Sequence, residues 1–270
     1  AVRQGATRVI VGVGGSATCD GGLGMAQACG AVIRLRSGKT YAASDRKITG
    51  SDAAKVVSVG RRGEDTSANT NGLLRFAGVE IVVAADVGNP LYGPDGAAHI
   101  FGPQKGATPA QVRHLDDGLR KLSERLGLTD FARLPASGAG GGTGFGLMAL
   151  FGAQAVSGAQ LIFDYLNLTA RLKGVDLCLT GEGRFDMQSL GGKAPMAVAR
   201  ACQEANVPCV VLAGSLGDGW HAAHHEGVTA ALSILNRPMA LVEAQDHAAD
   251  LVMMAAEQVM RLAVATVVPG

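Results

Sequence analysis

Residues 175–186 read Val-Asp-Leu-Cys-Leu-Thr-Gly-Glu-Gly-Arg-Phe-Asp, an apolar run of β character that empties into glycine and charge. Outward from it the same alternation recurs. Ala194 to Glu204 has a helical pattern, Val207 to Ala213 is a second apolar strand ending at Gly214 and Ser215, and Val228 to Leu235 is a third. Leu241 to about Val264 reads as one long closing helix. Strand–helix–strand order with fully apolar strands implies a parallel sheet covered on both faces. Ligands in such sheets bind at the carboxyl ends of the strands, where the glycine turns fall. The expected fold class is α/β, with parallel or mixed sheets flanked by helices. A second domain is expected from about residue 169, and its three clear strands make a short sheet.

Three more glycine-rich turns lie in the first half. Gly14-Gly15-Ser16-Ala17-Thr18-Cys19-Asp20-Gly21-Gly22 follows the β-branched run Thr7 to Val13. Asp86-Val87-Gly88-Asn89-Pro90-Leu91 follows a buried strand, Val79 to Ala85, and Gly138 to Gly146 is the third. Glycine lets backbone N–H groups come close to an anion and accepts the left-handed turns of anion-binding nests. Between the turns, a helix is expected from near Gly21 to Gly30, and short strand-like pieces over 31–60 include Ala54 to Val59. Arg61 to Asn71 is polar and reads as a solvent loop. Gly93 to Gly106 reads as coil of a length that often belongs to a site. Thr108 caps an amphipathic helix running to about Leu126, with Pro109 in its first turn and Val112, Leu115, Leu119 and Leu122 as its apolar stripe.

Composition narrows the function. Glycine, 39 of 270 residues, is about twice its usual share. Lys and Arg number 24 against 23 for Asp and Glu, a net charge of +1, which argues against a nucleic-acid binder. No apolar run approaches the ~20 residues of a membrane helix, so no membrane role is expected. No secretory leader is expected, and Ala1 to Gly5 reads as the tail of a helix, so the natural start is expected upstream. Five cysteines without a CxxC pair fit a reducing cytoplasm. Cys178 and Cys209 read as small buried residues, and Cys19 lies in a glycine turn where a reactive thiol is the alternative to a structural one.

The polar residues of the turns carry the candidate chemistry. The first turn lacks the GxxxxGK[ST] order and is no P-loop. Gly14 and Gly15 offer backbone N–H groups, and Ser16 and Thr18 add hydroxyls. Asp20 either caps the following helix or binds a metal or a substrate hydroxyl. Asp86 stands at a strand end, and Asn89 before Pro90 fixes the turn. Lys105 either reaches a phosphate or points to solvent. Gly181 to Pro195 is the densest stretch, with Glu182, Arg184, Asp186, Gln188, Ser189 and Lys193 between a strand and a helix. Phosphoryl transfer needs that mixture: carboxylates for Mg²⁺ and for a hydroxyl, and cations and N–H groups for the transferring oxygens. Lys193 would act beside a helix N-terminus at an anion. His221, His224 and His225 read as polar surface, and no Ser–His–Asp order or GxSxG elbow is present.

The chain resembles bacterial glycerate kinases of the type that makes 2-phosphoglycerate. The resemblance rests on VGGSATCDGGLGMAQACG (13–30), ADVGNPLYGPDGAAHIFGPQKGAT (85–108), GAGGGTGFGLMALFGA (138–153), LTGEGRFDMQSLGGKAP (179–195) and ILNRPM (234–239). Residues 41–76 fit less well. The resemblance implies ATP-dependent phosphorylation of the 2-hydroxyl of D-glycerate with Mg²⁺, in the cytoplasm. It implies Asp186 to orient or deprotonate the hydroxyl, Glu182 and Asp186 as metal ligands, Arg184 and Lys193 to neutralise charge, and Asp86 and Asn89 to grip substrate. Members fold as two α/β domains, which places residues 1–168 in one and 169–270 in part of the other. They also carry roughly a hundred further N-terminal residues, with a strand and an Asp-Ser-Phe-Lys loop to which nothing here corresponds. A missing segment or a homo-oligomer would complete the short sheet, and the 270-residue chain alone is expected to show no useful activity. The rival readings are a kinase for another small hydroxy acid and an inactive remnant that binds a partner.

Overall fold

The computed structural model describes residues 1–61, 72–191 and 194–267, with side chains through 265. The expected loop over 61–71 therefore lies almost wholly outside the described residues. Contacts divide the chain into two compact units, Ala1–Gly158 and Ala159–Gly270. The sequence reading had put the division near residue 168.

The first unit runs β1 (Arg8–Gly12), α1 (Leu23–Ala28), β2 (Ala31–Leu35), β3 (Thr40–Tyr41), β4 (Val56–Arg61), β5 (Glu80–Ala84), α2 (Ala97–Phe101), α3 (Pro109–Arg125), α4 (Thr129–Arg133), α5 (Ala139–Phe151) and β6 (Gln154–Val156). β1, β5 and β6 form a parallel sheet in that order, with Gly12 beside Ala84 and Ala84 beside Val156. β3, β2 and β4 form a separate antiparallel sheet. α3 starts as its sequence demands: the Thr108 hydroxyl accepts from the Gln111 N–H, and the Gln111 side chain accepts from the Thr108 N–H. Its stripe is buried at Val112, Leu119 and Leu122 and half-buried at Leu115. Leu119 and Leu122 join Leu23, Ile33, Val56, Val59, Phe145 and Leu150 in one core. Full burial of each Leu or Phe stabilises by roughly 1.5–3 kcal/mol.

One expectation in this unit is refined and one is corrected. Gly138 to Gly146 opens in the expected glycine turn, with Gly140, Gly141 and Gly142 left-handed at φ 62°, 70° and 90°, and then continues as the right-handed part of α5 to Phe151. The Gly21 N–H donates to the Gly141 carbonyl at 3.1 Å, and a Cβ on Gly141 would collide with the Thr18 carbonyl. Glycine is required there so that the first turn can seat directly on the helix backbone. Gly93 to Gly106 is also more regular than coil, because it contains α2 and a 3₁₀ turn over Pro103–Lys105.

The second unit runs α6 (Gly158–Leu166), α7 (Leu168–Arg171), β7 (Cys178–Phe185), α8 (Ala194–Glu204), β8 (Cys209–Leu216), β9 (Ala230–Ser233), α9 (Leu241–Asp246) and α10 (Ala248–Val267). Its sheet is parallel in the order β7-β8-β9. Gly181 to Phe185, expected as a turn, continues the strand. Gly181 lies beside Leu212, Glu182 beside Ala213, Arg184 beside Ser215 and Phe185 beside Leu216. The backbones run so close that a Cβ on Gly181 would strike the Leu212 carbonyl, and fully buried Phe185 anchors the strand end. The turn itself begins at Asp186. The expected single closing helix is two, because His247 leaves helical geometry at φ −105° and ψ 15°. Among the described residues, no helix is long and apolar enough to cross a membrane.

Candidate functional site

In the first unit the parallel pairing of β1, β5 and β6 brings their carboxyl ends together. The first glycine turn leaves β1, Asp86 follows β5, and Ser157 follows β6. The ends of β1 and β5 border a cavity of about 330 Å³ lined by Gly14, Gly15, Ser16, Asp86, Gln104, Lys105 and Gly140, among others. Gly14 and Gly15 have open space where a Cβ would stand, so their backbone faces the cavity without screening side chains.

Lys105 comes from the 3₁₀ turn ahead of α3 and crosses to the first turn. Its Nζ donates to the Thr18 carbonyl at 2.7 Å and to Ser16 Oγ at 3.1 Å. Burial lowers its pKa below the ordinary lysine value, against an opposing pull from Cys19 and Asp20. Asp86 also lines the cavity, and the Ser157 hydroxyl donates to its Oδ1 at 2.8 Å. A Cβ at Gly158 would lie 2.9 Å from Asp86 Oδ2, so the glycine leaves room for the carboxylate. One small cavity thus holds a cation, an open glycine backbone and an acid.

Three other candidates in this unit lie outside that lining. Both oxygens of buried Asp20 accept backbone N–H groups, from Gly22 and from Gly24, each at 2.9 Å. These bonds fix the turn that leads into α1, whose N-cap residue is Gly22. Asn89 donates its side-chain amide to the Asp95 carbonyl at 2.8 Å, and its own carbonyl accepts from the Gly138 N–H at 2.9 Å. Thr18 contributes its carbonyl, as the acceptor for Lys105. Cys19 is half-buried and burial pushes its thiol up to about 11, so it is a neutral thiol near pH 7.

In the second unit a larger, mostly apolar cavity of about 740 Å³ borders β7, β8 and the α9–α10 helices. Thr180, Glu182, Ser215 and Gln245 are its polar lining, with Gly181, Gly183 and Gly214 among the other lining residues. Asp186 and Arg184 are not part of that lining. They pair with each other, Arg184 Nε to Asp186 Oδ2 at 2.9 Å, and the Gln188 N–H donates to Asp186 Oδ1 at 3.0 Å. Buried Ser189 accepts the Asp186 N–H through Oγ at 3.2 Å. Asp186 is therefore held on three sides while Arg184 stays two-thirds exposed. Lys193 lies outside the described residues.

Sequence reasoning missed Ser157 and Thr180 and used Ser215 only as a strand end. The visible signal for Ser157 was its place before a glycine after a short β run. Hard carboxylate oxygens suit Mg²⁺, which commonly uses one or two protein carboxylates and keeps water and phosphate for the rest. Glu182 and Asp186 match that donor chemistry. Trp220 stacks on His221 with ring centroids 4.0 Å apart and meets the His224 edge at 5.5 Å, while His224 Nδ1 lies 2.9 Å from the Val228 carbonyl.

Comparison with known proteins gives a consistent picture. The glycerate kinase of Halalkalibacterium halodurans is 38% identical over 263 residues, covering 96% of this chain and 66% of that protein. The glycerate 2-kinase of Escherichia coli K12 is 38% identical over 255 residues, covering 90% of this chain and 61% of that protein. A solved structure from Salmonella typhimurium LT2, provisionally named glycerate kinase 2, superposes with a TM-score of 0.73 at 36% identity, over 98% of this chain and 66% of that one. The chain thus spans just under two thirds of the length of these relatives. The sequence profile of the glycerate kinase family matches residues 1–264, and the chain belongs to that family.

Proposed function

We propose that the protein phosphorylates D-glycerate at its 2-hydroxyl, with ATP as phosphoryl donor and Mg²⁺ as the metal, in the cytoplasm. The observation that carries this reading is the first-unit cavity, where Lys105, the Gly14–Ser16 backbone and Asp86 meet. A site for a bare anion gains nothing from an acid. A hydroxy acid supplies a carboxylate for the cation and N–H groups and hydroxyl donors for the acid. The cavity volume of about 330 Å³ is at the small end of ligand pockets, which suits a three-carbon ligand.

In this reading Lys105 and the glycine turn hold the negative end of the ligand, and Asp86 accepts from a hydroxyl. Ser157 keeps the Asp86 carboxylate in place. In the second unit, taken by itself, Asp186 is the residue proposed to orient a hydroxyl or accept its proton, with Arg184 and Lys193 as counter-charges for phosphoryl oxygens. Either Glu182 or Asp186 would hold Mg²⁺, which when bound neutralises charge on the phosphates; four residues apart along an extended strand, the two do not share one ion. Phosphoryl transfer rests mainly on positioning and electrostatics, so a strongly basic group is not demanded.

The test is phosphorus NMR of a reaction containing ATP, Mg²⁺ and D-glycerate. Phosphate on the 2-oxygen supports the proposal. Phosphate on the 3-oxygen, or faster turnover of a different hydroxy acid such as lactate, replaces the substrate assignment.

A further inference from the structure

Among the described residues, one group of three or more potential metal donors has all its ligand atoms within 4.8 Å of one another: Cys178, Cys202 and Cys209. The proposed phosphotransfer uses none of them. Cys178 and Cys209 open neighbouring parallel strands and are partners in register, and Cys202 reaches them from α8. Cys202 and Cys209 are fully buried, while Cys178 is half-buried and gives the group its access to solvent. A central atom ~2.3 Å from each of three thiolate sulfurs sets them about 4 Å apart, so the triangle is already near ligand spacing.

Charge selects the class of guest. Three thiolates are soft ligands, which suits thiophilic ions over Mg²⁺ or Ca²⁺. Three thiolates around a divalent ion leave one net negative charge, and around a monovalent ion two. Uncompensated charge in an apolar interior is costly. Such a site favours a guest that takes up neutral thiols and leaves a neutral product.

We propose that Cys178, Cys202 and Cys209 form a three-thiol binding site for trivalent arsenic of the arsenous acid class. Arsenous acid, As(OH)₃, is neutral and condenses with three S–H groups. Three As–S bonds replace three As–O bonds, three water molecules leave, arsenic stays trivalent, and no net charge is created. The product would tie α8 to the starts of β7 and β8.

The test treats the reduced 270-residue chain with arsenite, removes the excess, and measures intact mass under native conditions. The expected product is one adduct per chain, gaining one arsenic and losing three hydrogens, with three sulfur neighbours by X-ray absorption. C178A, C202A and C209A should each lose the three-hydrogen signature, whereas C19A and C29A should keep it. C178A serves if the two fully buried positions do not tolerate change, and the absorption spectrum needs no variant. Absence of an adduct on the folded chain, two-sulfur coordination, or loss of the adduct in C19A or C29A would overturn the proposal and leave three cysteines that merely pack.

Discussion

The ammonium of Lys105 reaches the first glycine turn from 89 residues away in sequence, so its removal separates binding from folding more cleanly than any glycine change. K105M keeps the side-chain length and removes the charge. Hydrogen bonds to charged groups contribute about 1.5–3 kcal/mol, so KM for D-glycerate should rise roughly 10- to 100-fold with little loss of fold. Steady-state kinetics beside circular dichroism checks this, and an unchanged KM would leave Lys105 as a structural tie between two loops. Asp186 is judged on kcat instead. Its partner Arg184 is two-thirds exposed, so their ion pair adds little to stability. D186N, in the protein at full family length, should remain folded yet lose at least ~10²-fold in turnover. Near-normal turnover would take Asp186 off the catalytic roster. A third residue reports on stability alone. Arg46 grips both oxygens of Asp52 at 2.8 and 2.9 Å, and that hydrogen bonding is the main cause lowering the Asp52 pKa to about 2. The folded pKa lies below the unfolded one, so the stabilisation is present above about pH 4 and is lost as the pH falls toward about 2. Arg46 is half exposed, so solvent screening keeps the contribution small. Urea unfolding of D52N should show that loss at pH 7 and much less of it near pH 2, and an equal loss at both would assign the effect to packing.

Among elements, those most legible in the sequence carry their own local instructions. β1 and β5 are unbroken apolar runs, and α3 announces its start through Thr108, Pro109 and Gln111. β7 was legible only as far as Thr180. Glycine has poor strand propensity, yet pairing with β8 carries Gly181 into the ladder and Gly183 into the strand, a case of tertiary pairing overriding local preference. The antiparallel β3-β2-β4 sheet has short strands with weak patterning, including a two-residue β3 and a register shift at Arg34/Leu35, which left little to read. For the site, the glycine turns and their polar residues were visible one by one. Which of them meet was not, since that depends on long-range pairing of β1 with β5 and on Lys105 crossing between loops. Asp20 and Asn89 share the composition of the site but spend their polar atoms on backbone groups. The docking of the first turn on α5 makes a sharp element-level prediction. G141A must place a side chain at φ 70° and against the Thr18 carbonyl, and should cost more than ~1–2 kcal/mol in urea unfolding. G88A has open space and no left-handed backbone, and should stay within ~0.5 kcal/mol of the parent. Equal effects would mean that glycine content, and not this contact, governs the turn.

For the whole molecule, balanced charge and two α/β units with ligand-sized cavities at strand ends suit a small-molecule enzyme better than a nucleic-acid binder. Family membership supports the proposed reaction class, and the first-unit cavity supports the proposal of a hydroxy acid. The chain spans 61–66% of the relatives compared, so catalysis is best judged on a protein of the family's full length. On that protein the deciding measurement is phosphorus NMR of the product formed from ATP, Mg²⁺ and D-glycerate, with K105M and D186N run alongside. The account predicts phosphate on the 2-oxygen, formed with a raised KM in K105M and nearly abolished in D186N. Phosphate on the 3-oxygen, a preferred substrate without a carboxylate, or no transfer at all from the folded full-length protein would contradict it.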